Sequence, residues 1–403
     1  MMLKRIVRSY DYTLIAVILV LSIFGLVMVY SSSMVTAVAR WDLPSDYFYM
    51  KQIRHLVIGL ILFTIMAIIP YPLYKSNKVL VPLVFGSIVG LFALQFFGHT
   101  AGNAESWFKL GALGSLQPSE FVKLGVIIYL SAAYSKKQKY INVFNKGVIP
   151  PLVYLLIVCG LIVLQPDIGT AMIIFMVACT IIICSGMNWK SFAKHLSILL
   201  GTILIAIPVI ILYKDKIFTE KRLERFTGFL DPFSTEKYEG YQLVNSYVAI
   251  GNGGLTGVGF GQSTQKYGYL PEPHTDFIMA VISEELGLIG VAFVIICLAT
   301  IVLKGIRTAI KSDDPFGSML AAGISSMIGI QSMINLGGIT GLIPITGVTL
   351  PFISYGGSSL IQLFLSVGIL VNVSMKTRYD AFYKKGQAVP EQMDDKRMIS
   401  SKL

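Results

Sequence analysis

Long unbroken runs of apolar residues constrain this chain more than any other feature of its sequence. Two of them are YTLIAVILVLSIFGLVMVYSSS, from residue 12, and LSILLGTILIAIPVIILY, from residue 196. Each has about the 20 residues that a helix needs to cross the hydrocarbon core of a bilayer. The composition agrees, because 54% of the 403 residues are hydrophobic and only 14% are charged, whereas soluble domains carry about 25% charge. The sequence therefore predicts a polytopic membrane protein.

The predicted fold class is an all-α membrane protein with about ten transmembrane helices. The apolar segments place the spans at 13–33, 54–71, 79–98, 119–134, 148–165, 168–186, 196–213, 275–303, 317–337 and 353–373. One large extracytoplasmic loop, about 214–273, separates helices 7 and 8. Residues 1–375 form a single integral membrane domain, and residues 376–403 are expected to be a disordered cytoplasmic tail.

The distribution of basic residues predicts the orientation. Most of the 33 Lys and Arg fall in segments that become cytoplasmic when the N-terminus is placed inside, as the positive-inside rule requires. Both termini are then cytoplasmic. The net charge of +11 follows from this topology and gives no reason to expect a nucleic-acid partner.

Ionisable groups within spans are costly, so each one is a candidate functional residue. In QPSEFVK, Glu120 and Lys123 are three residues apart and share a helix face. In LQPDIGT, Asp167 stands where the next helix begins, which favours a carboxylate. The structural alternatives are a buried ion pair that only offsets its own cost and a tight reversal capped by Asp167.

The segment PEPHTDFIMAVISEELG, from residue 271, places an acid at the start of the eighth span. A helix cannot contain Pro273 in its interior, so Thr275 is the predicted N-cap and Asp276 a first-turn acid. In that case Asp276 would serve only to stabilise the start of the helix. A stripe of polar and small residues on the same face favours a cavity instead, and the deeper Glu284 and Glu285 are expected to be structural.

Three more residues are candidate substrate contacts. His274 is a possible proton carrier, although a histidine at a membrane interface is more often an ordinary polar residue. Arg222 and Arg225 lie one helical turn apart in the long loop, and arginine forks bind phosphate well. The alternative for the arginines is a charged surface helix.

Residues 335–360, NLGGITGLIPITGVTLPFISYGGSSL, contain many glycines, two prolines and no charge. We expect irregular backbone here, as a cavity wall or re-entrant segment, with a Gly-rich helix contact as the alternative. Together the segments predict an outward-facing cavity suited to a polyprenyl diphosphate lipid. The pattern leaves transport of such a lipid and chemistry on it both open.

The polar segments occur together and in order across nearly the whole chain. The strings SWFKLGALGSLQPSEFVKL, QPDIGTA, GQSTQKYGYLPEPHTDFIMAVISEELG and LIPITGVTLPFISYGGSSL resemble the shape, elongation, division and sporulation (SEDS) family, and its division and sporulation members more than its elongation members. One departure is AESWF, where the family often has an Arg-rich pair before the Trp.

The resemblance implies a ten-helix peptidoglycan glycosyltransferase of the bacterial plasma membrane. Such an enzyme polymerises lipid II, a disaccharide pentapeptide on undecaprenyl diphosphate, into β-1,4 glycan strands at the outer face. Its partners are lipid II, the nascent glycan strand, membrane lipids, a class B penicillin-binding protein and other divisome membrane proteins. The resemblance to division members indicates the septum. The essential Asp of the family falls on Asp276, its acid and Lys on Glu120 and Lys123, and its Pro-Asp motif on Asp167.

The implied reaction needs a base at the attacking hydroxyl and positive charge at the departing diphosphate. We expect Asp276 to be the base, with Lys123 either orienting Asp276 or neutralising diphosphate and Glu120 holding Lys123. Arg222 and Arg225 are candidate diphosphate contacts. A divalent cation, Mg or Mn, is an alternative source of charge, although no metal site with clear ligand spacing is visible. The rival functions are a lipid II flippase and a non-catalytic divisome scaffold.

Overall fold

The computed structural model describes residues 2–101, 104–109, 115–143, 147, 149–191, 193–194, 197, 201, 227–234 and 240–384. Most of these residues are helical, which confirms the predicted fold class. The helices are α1 (Met2–Ser9), α2 (Tyr12–Trp41), α3 (Tyr47–Ile68), α4 (Asn77–Phe97), α5 (Pro118–Lys136), α6 (Ile149–Leu164), α7 (Ile168–Cys184), α8 (Tyr241–Gly253), α9 (Ile278–Lys311), α10 (Pro315–Ile339) and α11 (Gly357–Tyr379).

Six of these helices are long and apolar enough to cross a membrane, namely α2, α3, α4, α9, α10 and α11. The helices α6 and α7 are apolar but shorter, and α5 carries the Glu120–Lys123 pair. Each of these helices overlaps a predicted span, although α2, α3 and α9 extend well beyond one predicted end. The seventh predicted span, 196–213, lies outside the described residues except for 197 and 201, so the count of ten remains a prediction.

The helices differ strongly in how much protein surrounds them. The most apolar window of α11 is 83% buried and that of α10 is 72% buried, whereas the value for α4 is 17%. The helices α10 and α11 therefore form the centre of the bundle. Polar groups on these two helices can be satisfied only by other protein groups or by a water-filled cavity.

A small antiparallel sheet lies between α4 and α5. Its strands are β1 (His99–Ala101), β2 (Ala104–Lys109) and β3 (Ser115–Leu116). The central strand pairs with both neighbours, with Phe108 opposite Leu116. The sheet leads directly into the start of α5.

The large loop contains the amphipathic helix α8. Its apolar face buries Leu243, Val244 and Ala249, and the Ser246 hydroxyl donates to Ile339 O at 3.0 Å. The helix is thus fastened to the end of α10.

The helix α9 is broken near its start, at Gly287, where φ is 63° and ψ is −159°. The loop after α8 fills the break with backbone hydrogen bonds. Val258 N donates to Glu284 O at 2.9 Å, and Leu288 N donates to Gly254 O at 3.0 Å. These bonds satisfy backbone N–H and C=O groups that lose their helical partners at the break. They also join the large loop to α9.

We predict that Gly287→Ala destabilises the protein by about 1–3 kcal/mol, because alanine disfavours this positive φ. An added Cβ would also overlap Gly257 N. Thermal unfolding of the purified protein measures the cost. Gly90→Ala in α4 is the control, since its added Cβ meets nothing. Equal unfolding temperatures for the two variants would show that the break tolerates a side chain.

Candidate active site

The first turns of α5 carry a buried ion pair. Lys123 Nζ lies 2.8 Å from Glu120 Oε2, and the two side chains are 2% and 9% exposed. Lys123 Nζ also donates to Gln331 Oε1 of α10 at 3.2 Å. Buried charges need such partners to offset the loss of water. The Glu120–Lys123 pairing predicted from the spacing is confirmed. The hydrogen bond to Gln331 connects this pair to the central helix α10.

Asp167 caps the start of α7. Its Oδ1 accepts from Thr170 N at 3.1 Å, and its Oδ2 accepts from Gln117 Nε2 at 3.2 Å. The first bond satisfies an otherwise open N–H of the helix. The second ties the start of α7 to the residue before α5. Asp167 therefore aligns two helix starts at the end of the bundle where the ion pair lies.

Between α10 and α11 the chain has no regular secondary structure over residues 340–356, which we call the strap. This confirms the expected irregular backbone, although 335–339 and 357–360 are helical. Two amides of α10 hold the strap. Gln331 Nε2 donates to Thr349 O at 3.0 Å, and Asn335 Nδ2 donates to Val348 O at 2.8 Å.

The strap also fits closely against other helices. Gly25 of α2 leaves no room for a side chain, because an added Cβ would overlap Phe352 O. On another side, the position of a Cβ on Gly169 of α7 is 3.1 Å from Val348 Cγ2. The strap is thereby held between α2, α7 and α10.

Asp276 lies in the turn before α9 and is half-buried. The helix begins at Ile278, with Phe277 at the N-cap position, so the predicted N-cap role of Thr275 and first-turn position of Asp276 are wrong. The Thr275 hydroxyl instead has an acceptor in Asp276 Oδ1 at 2.9 Å. Asn335 Nδ2 donates to Asp276 O at 2.8 Å.

Asp276 and Asn335 line one narrow cleft together with strap residues 345–348, and its volume is about 10 Å³. This is room for about one water molecule, far below the roughly 300–1,000 Å³ of sites for drug-sized ligands. The cleft must therefore widen before a sugar can lie against Asp276.

The end of α2 holds the turn that carries Asp276. Arg40 Nη1 donates to Pro271 O at 2.6 Å and lies 3.8 Å from Glu272 Oε1. Burial and the nearby charge of Asp276 raise the pKa of Glu272, while Arg40 lowers it. Two carboxylates thus share this turn, and Arg40 partly neutralises that of Glu272.

His274 is enclosed by aromatic rings. Its ring centroid lies 4.4 Å from that of Phe48 and 5.5 Å from that of Tyr355. Burial, with a smaller effect of the positive charge of Arg40, lowers the pKa of His274 to about 4. The ring is therefore neutral at pH 7, and its role as a substrate contact stays a prediction.

Glu284 binds the loop that precedes the turn. Its carboxylate accepts from Thr264 N at 3.3 Å, Thr264 Oγ1 at 2.9 Å and Gln265 N at 3.3 Å, and also from the hydroxyl of Ser263. These donors replace the water that the buried carboxylate has lost. These contacts fit the structural role expected for Glu284.

Glu285 forms a fully buried ion pair with Lys266, at 2.8 Å between Oε1 and Nζ. Lys266 also donates to Gly261 O at 2.8 Å and Ser31 Oγ at 3.2 Å. Each of the three N–H groups of the Lys266 ammonium therefore has an acceptor. The pair joins α9, the large loop and α2, and so anchors the loop that leads to Asp276.

Arg222 and Arg225, the candidate diphosphate contacts, lie outside the described residues. Within the residues that the structure describes, no group of three or more His, Cys, Asp or Glu side chains is placed to hold a metal ion.

The family model for the FtsW, RodA and SpoVE cell cycle proteins matches residues 11–379. The chain belongs to this family. It is 55% identical over 399 residues to "Probable peptidoglycan glycosyltransferase FtsW" of Bacillus subtilis (strain 168), with 98% of each chain covered. It is 39% identical to stage V sporulation protein E of the same organism, covering 92% of this chain and 98% of that one.

Solved structures of FtsW/RodA/SpoVE family proteins have the same fold. A chain of a peptidoglycan synthase complex superposes with a TM-score of 0.70 at 24% identity, covering 91% of this chain and 98% of that one. The rod shape determining protein RodA of Thermus thermophilus gives a TM-score of 0.65 at 25% identity, covering 92% and 98%. The bundle is therefore the family fold of an integral membrane protein.

Several residues that build this family's site here were missed in the sequence analysis. Gln331 and Asn335 are four residues apart, so they share a face of an apolar helix, and that polar pair was the available signal. Arg40 and Lys266 gave no such signal, because their partners are far away in the sequence.

We predict that Lys266→Met destabilises the protein by about 3–5 kcal/mol, since it leaves the Glu285 carboxylate buried without its cation. The double change Lys266→Met with Glu285→Gln should recover much of this loss. Thermal unfolding tests both variants. Lys376→Met is the control, because the Lys376–Asp380 pair is 39% and 32% exposed and is worth about 0–1 kcal/mol. A similar cost for the two single variants would contradict the anchoring role.

His274 should make stability depend on pH. Its folded pKa of about 4 is below the unfolded value of about 6.5. Between these values the unfolded chain takes up a proton that the folded chain does not, so stability falls as pH falls through this window, by at most about 1.4 kcal/mol per pH unit. His274→Phe should lose less stability than the parent between pH 7.5 and 5.5 in thermal unfolding. An identical loss in both proteins would argue against a buried neutral ring.

Proposed function

We propose that this chain is a peptidoglycan glycosyltransferase that polymerises lipid II into β-1,4 glycan strands in septal wall synthesis. The proposal is supported by 55% identity over nearly the full length to a relative with that named activity. The observation that carries it is the half-buried Asp276, which lines a cleft at the end of the bundle that also carries Glu120, Lys123 and Asp167.

The proposed reaction is an inverting displacement. The 4-hydroxyl oxygen of one sugar forms a bond to the anomeric carbon of another, and the bond from that carbon to undecaprenyl diphosphate breaks. The hydroxyl proton passes to the Asp276 carboxylate as general base. A carboxylate is an intrinsically weak base, so orientation and exclusion of water must supply much of the effect.

Glu120 and Lys123 are proposed to be positioning residues. Lys123 donates to Gln331, and Gln331 donates to Thr349 O of the strap. The next carbonyl along, Val348 O, is bound by the same Asn335 amide that holds Asp276 O. Lys123 would then act on Asp276 through α10 and the strap, rather than by direct neutralisation of diphosphate.

The leaving diphosphate requires positive charge. Arg222 and Arg225 are proposed to provide it. A divalent cation, Mg or Mn, is the alternative, and Glu272 would help to hold it beside the diphosphate, as magnesium sites commonly use one or two carboxylates plus substrate phosphates. Loss of polymerisation on addition of EDTA, and recovery with Mg or Mn, would distinguish the two.

The proposed partners are lipid II, the nascent strand, membrane lipids, a class B penicillin-binding protein and other divisome membrane proteins. The fold shared with a chain of a peptidoglycan synthase complex supports a penicillin-binding partner. The proposed location is the plasma membrane at the division septum, with both termini cytoplasmic. Western detection of a protease-cut tag at each terminus, in intact and lysed spheroplasts, tests that orientation.

We predict that Asp276→Asn, purified with its penicillin-binding partner, forms glycan strands from lipid II at least about 100-fold more slowly than the parent, the lower end of general-base contributions. Gel analysis of labelled strands measures the rate. Strand formation at the parental rate would refute the general-base assignment.

The control for this variant is Asp46→Asn. Asp46 precedes α3 at the same end of the bundle and makes no side-chain capping bond. It should retain parental activity, which excludes a general effect of removing a carboxylate there. Co-purification with the partner must be equal for both variants, so that a failure of folding is not taken for a failure of chemistry.

A further inference from the structure

Asn335 has an unusual hydrogen-bonding environment. It is 4% exposed, and its Nδ2 donates to both Asp276 O and Val348 O at 2.8 Å. Both N–H groups of the Asn335 amide therefore have a carbonyl acceptor, and the nitrogen has no donor left.

This environment fixes the orientation of the amide. Backbone carbonyl oxygens can only accept, so an amide rotated by 180° would place three acceptors together. Asn335 Oδ1 must therefore point away from both carbonyls. It is buried and has no hydrogen-bond partner among the described residues.

A buried acceptor without a partner is costly, because it has lost its water. Other amide oxygens among the described residues share this state, namely those of Gln265 and Gln362. Asn335 differs from them because it lines the cleft beside Asp276. A ligand can supply the missing donor by entering this cleft, which must widen to admit it.

We propose that Asn335 is a substrate-binding residue, whose Oδ1 accepts a hydrogen bond from a hydroxyl or acetamido N–H of the sugar that Asp276 deprotonates. The inference rests on the proposed function. The same side chain would hold the base through its nitrogen and the sugar through its oxygen, and so set the distance between them. No bond is formed or broken at Asn335.

Binding to an inactive enzyme provides the test. In the Asp276→Asn background, lipid II should bind without turnover, and its Kd can be measured with a fluorescent lipid II in nanodiscs of fixed composition. Strand formation at the parental rate in this background would refute the general-base role of Asp276 and would be seen separately from the Kd values. A second probe, undecaprenyl diphosphate, carries no sugar.

We expect Asn335→Leu to raise the Kd of lipid II by roughly 3- to 10-fold, the effect of losing one neutral hydrogen bond, and to leave the Kd of undecaprenyl diphosphate within about twofold. Asn335→Thr keeps a donor for one carbonyl but withdraws the acceptor from the cleft. It should give the same result if the leucine variant does not fold.

The matched control is Asn372→Leu. Asn372 is a buried asparagine whose oxygen accepts from Tyr71 N and whose nitrogen donates to Ala67 O. It should leave both Kd values unchanged in the folded protein. An unchanged Kd for lipid II in the Asn335 variants would overturn the proposal. An equal rise for both probes would also overturn it, because it would indicate a distorted site rather than a lost sugar contact.

Discussion

Two hydrogen bonds from α10 to the strap support the arrangement of the whole site. Irregular backbone at membrane depth is stable only where protein groups satisfy its carbonyls, and Gln331 and Asn335 satisfy Thr349 O and Val348 O. Because each amide also contacts a site residue, Lys123 or Asp276, the strap and the candidate catalytic groups are positioned together.

The large loop is also anchored by several contacts, on the N-terminal side of Asp276. The break at Gly287 accepts the loop backbone, Glu284 binds the turn at Thr264, and Lys266 pairs with Glu285. Each of these contacts removes freedom from the chain before the Asp276 turn. A weak base is more effective when its geometry is fixed. The Lys266–Glu285 pair helps to fix the loop before Asp276, and this offsets the cost of burying the two charges.

Much of the fold and part of the site could be predicted from local sequence. Apolar runs located the spans, the three-residue spacing paired Glu120 with Lys123, and glycines and prolines indicated the strap. The start of α9 was misplaced because Thr275 bonds to Asp276 rather than to a helix N–H. The partners of Lys266 and Asn335 could not be predicted, since these contacts form between segments that only the packed bundle brings together.

The central claim is that Asp276 takes the proton from the attacking sugar hydroxyl. A cryo-electron microscopy structure of the Asp276→Asn protein with its partner and lipid II tests it most directly. The account predicts that the side chain at 276 lies about 2.6–3.2 Å from the 4-hydroxyl of the acceptor sugar. An acceptor sugar bound elsewhere, with its 4-hydroxyl beyond reach of residue 276 even through one water, would contradict it.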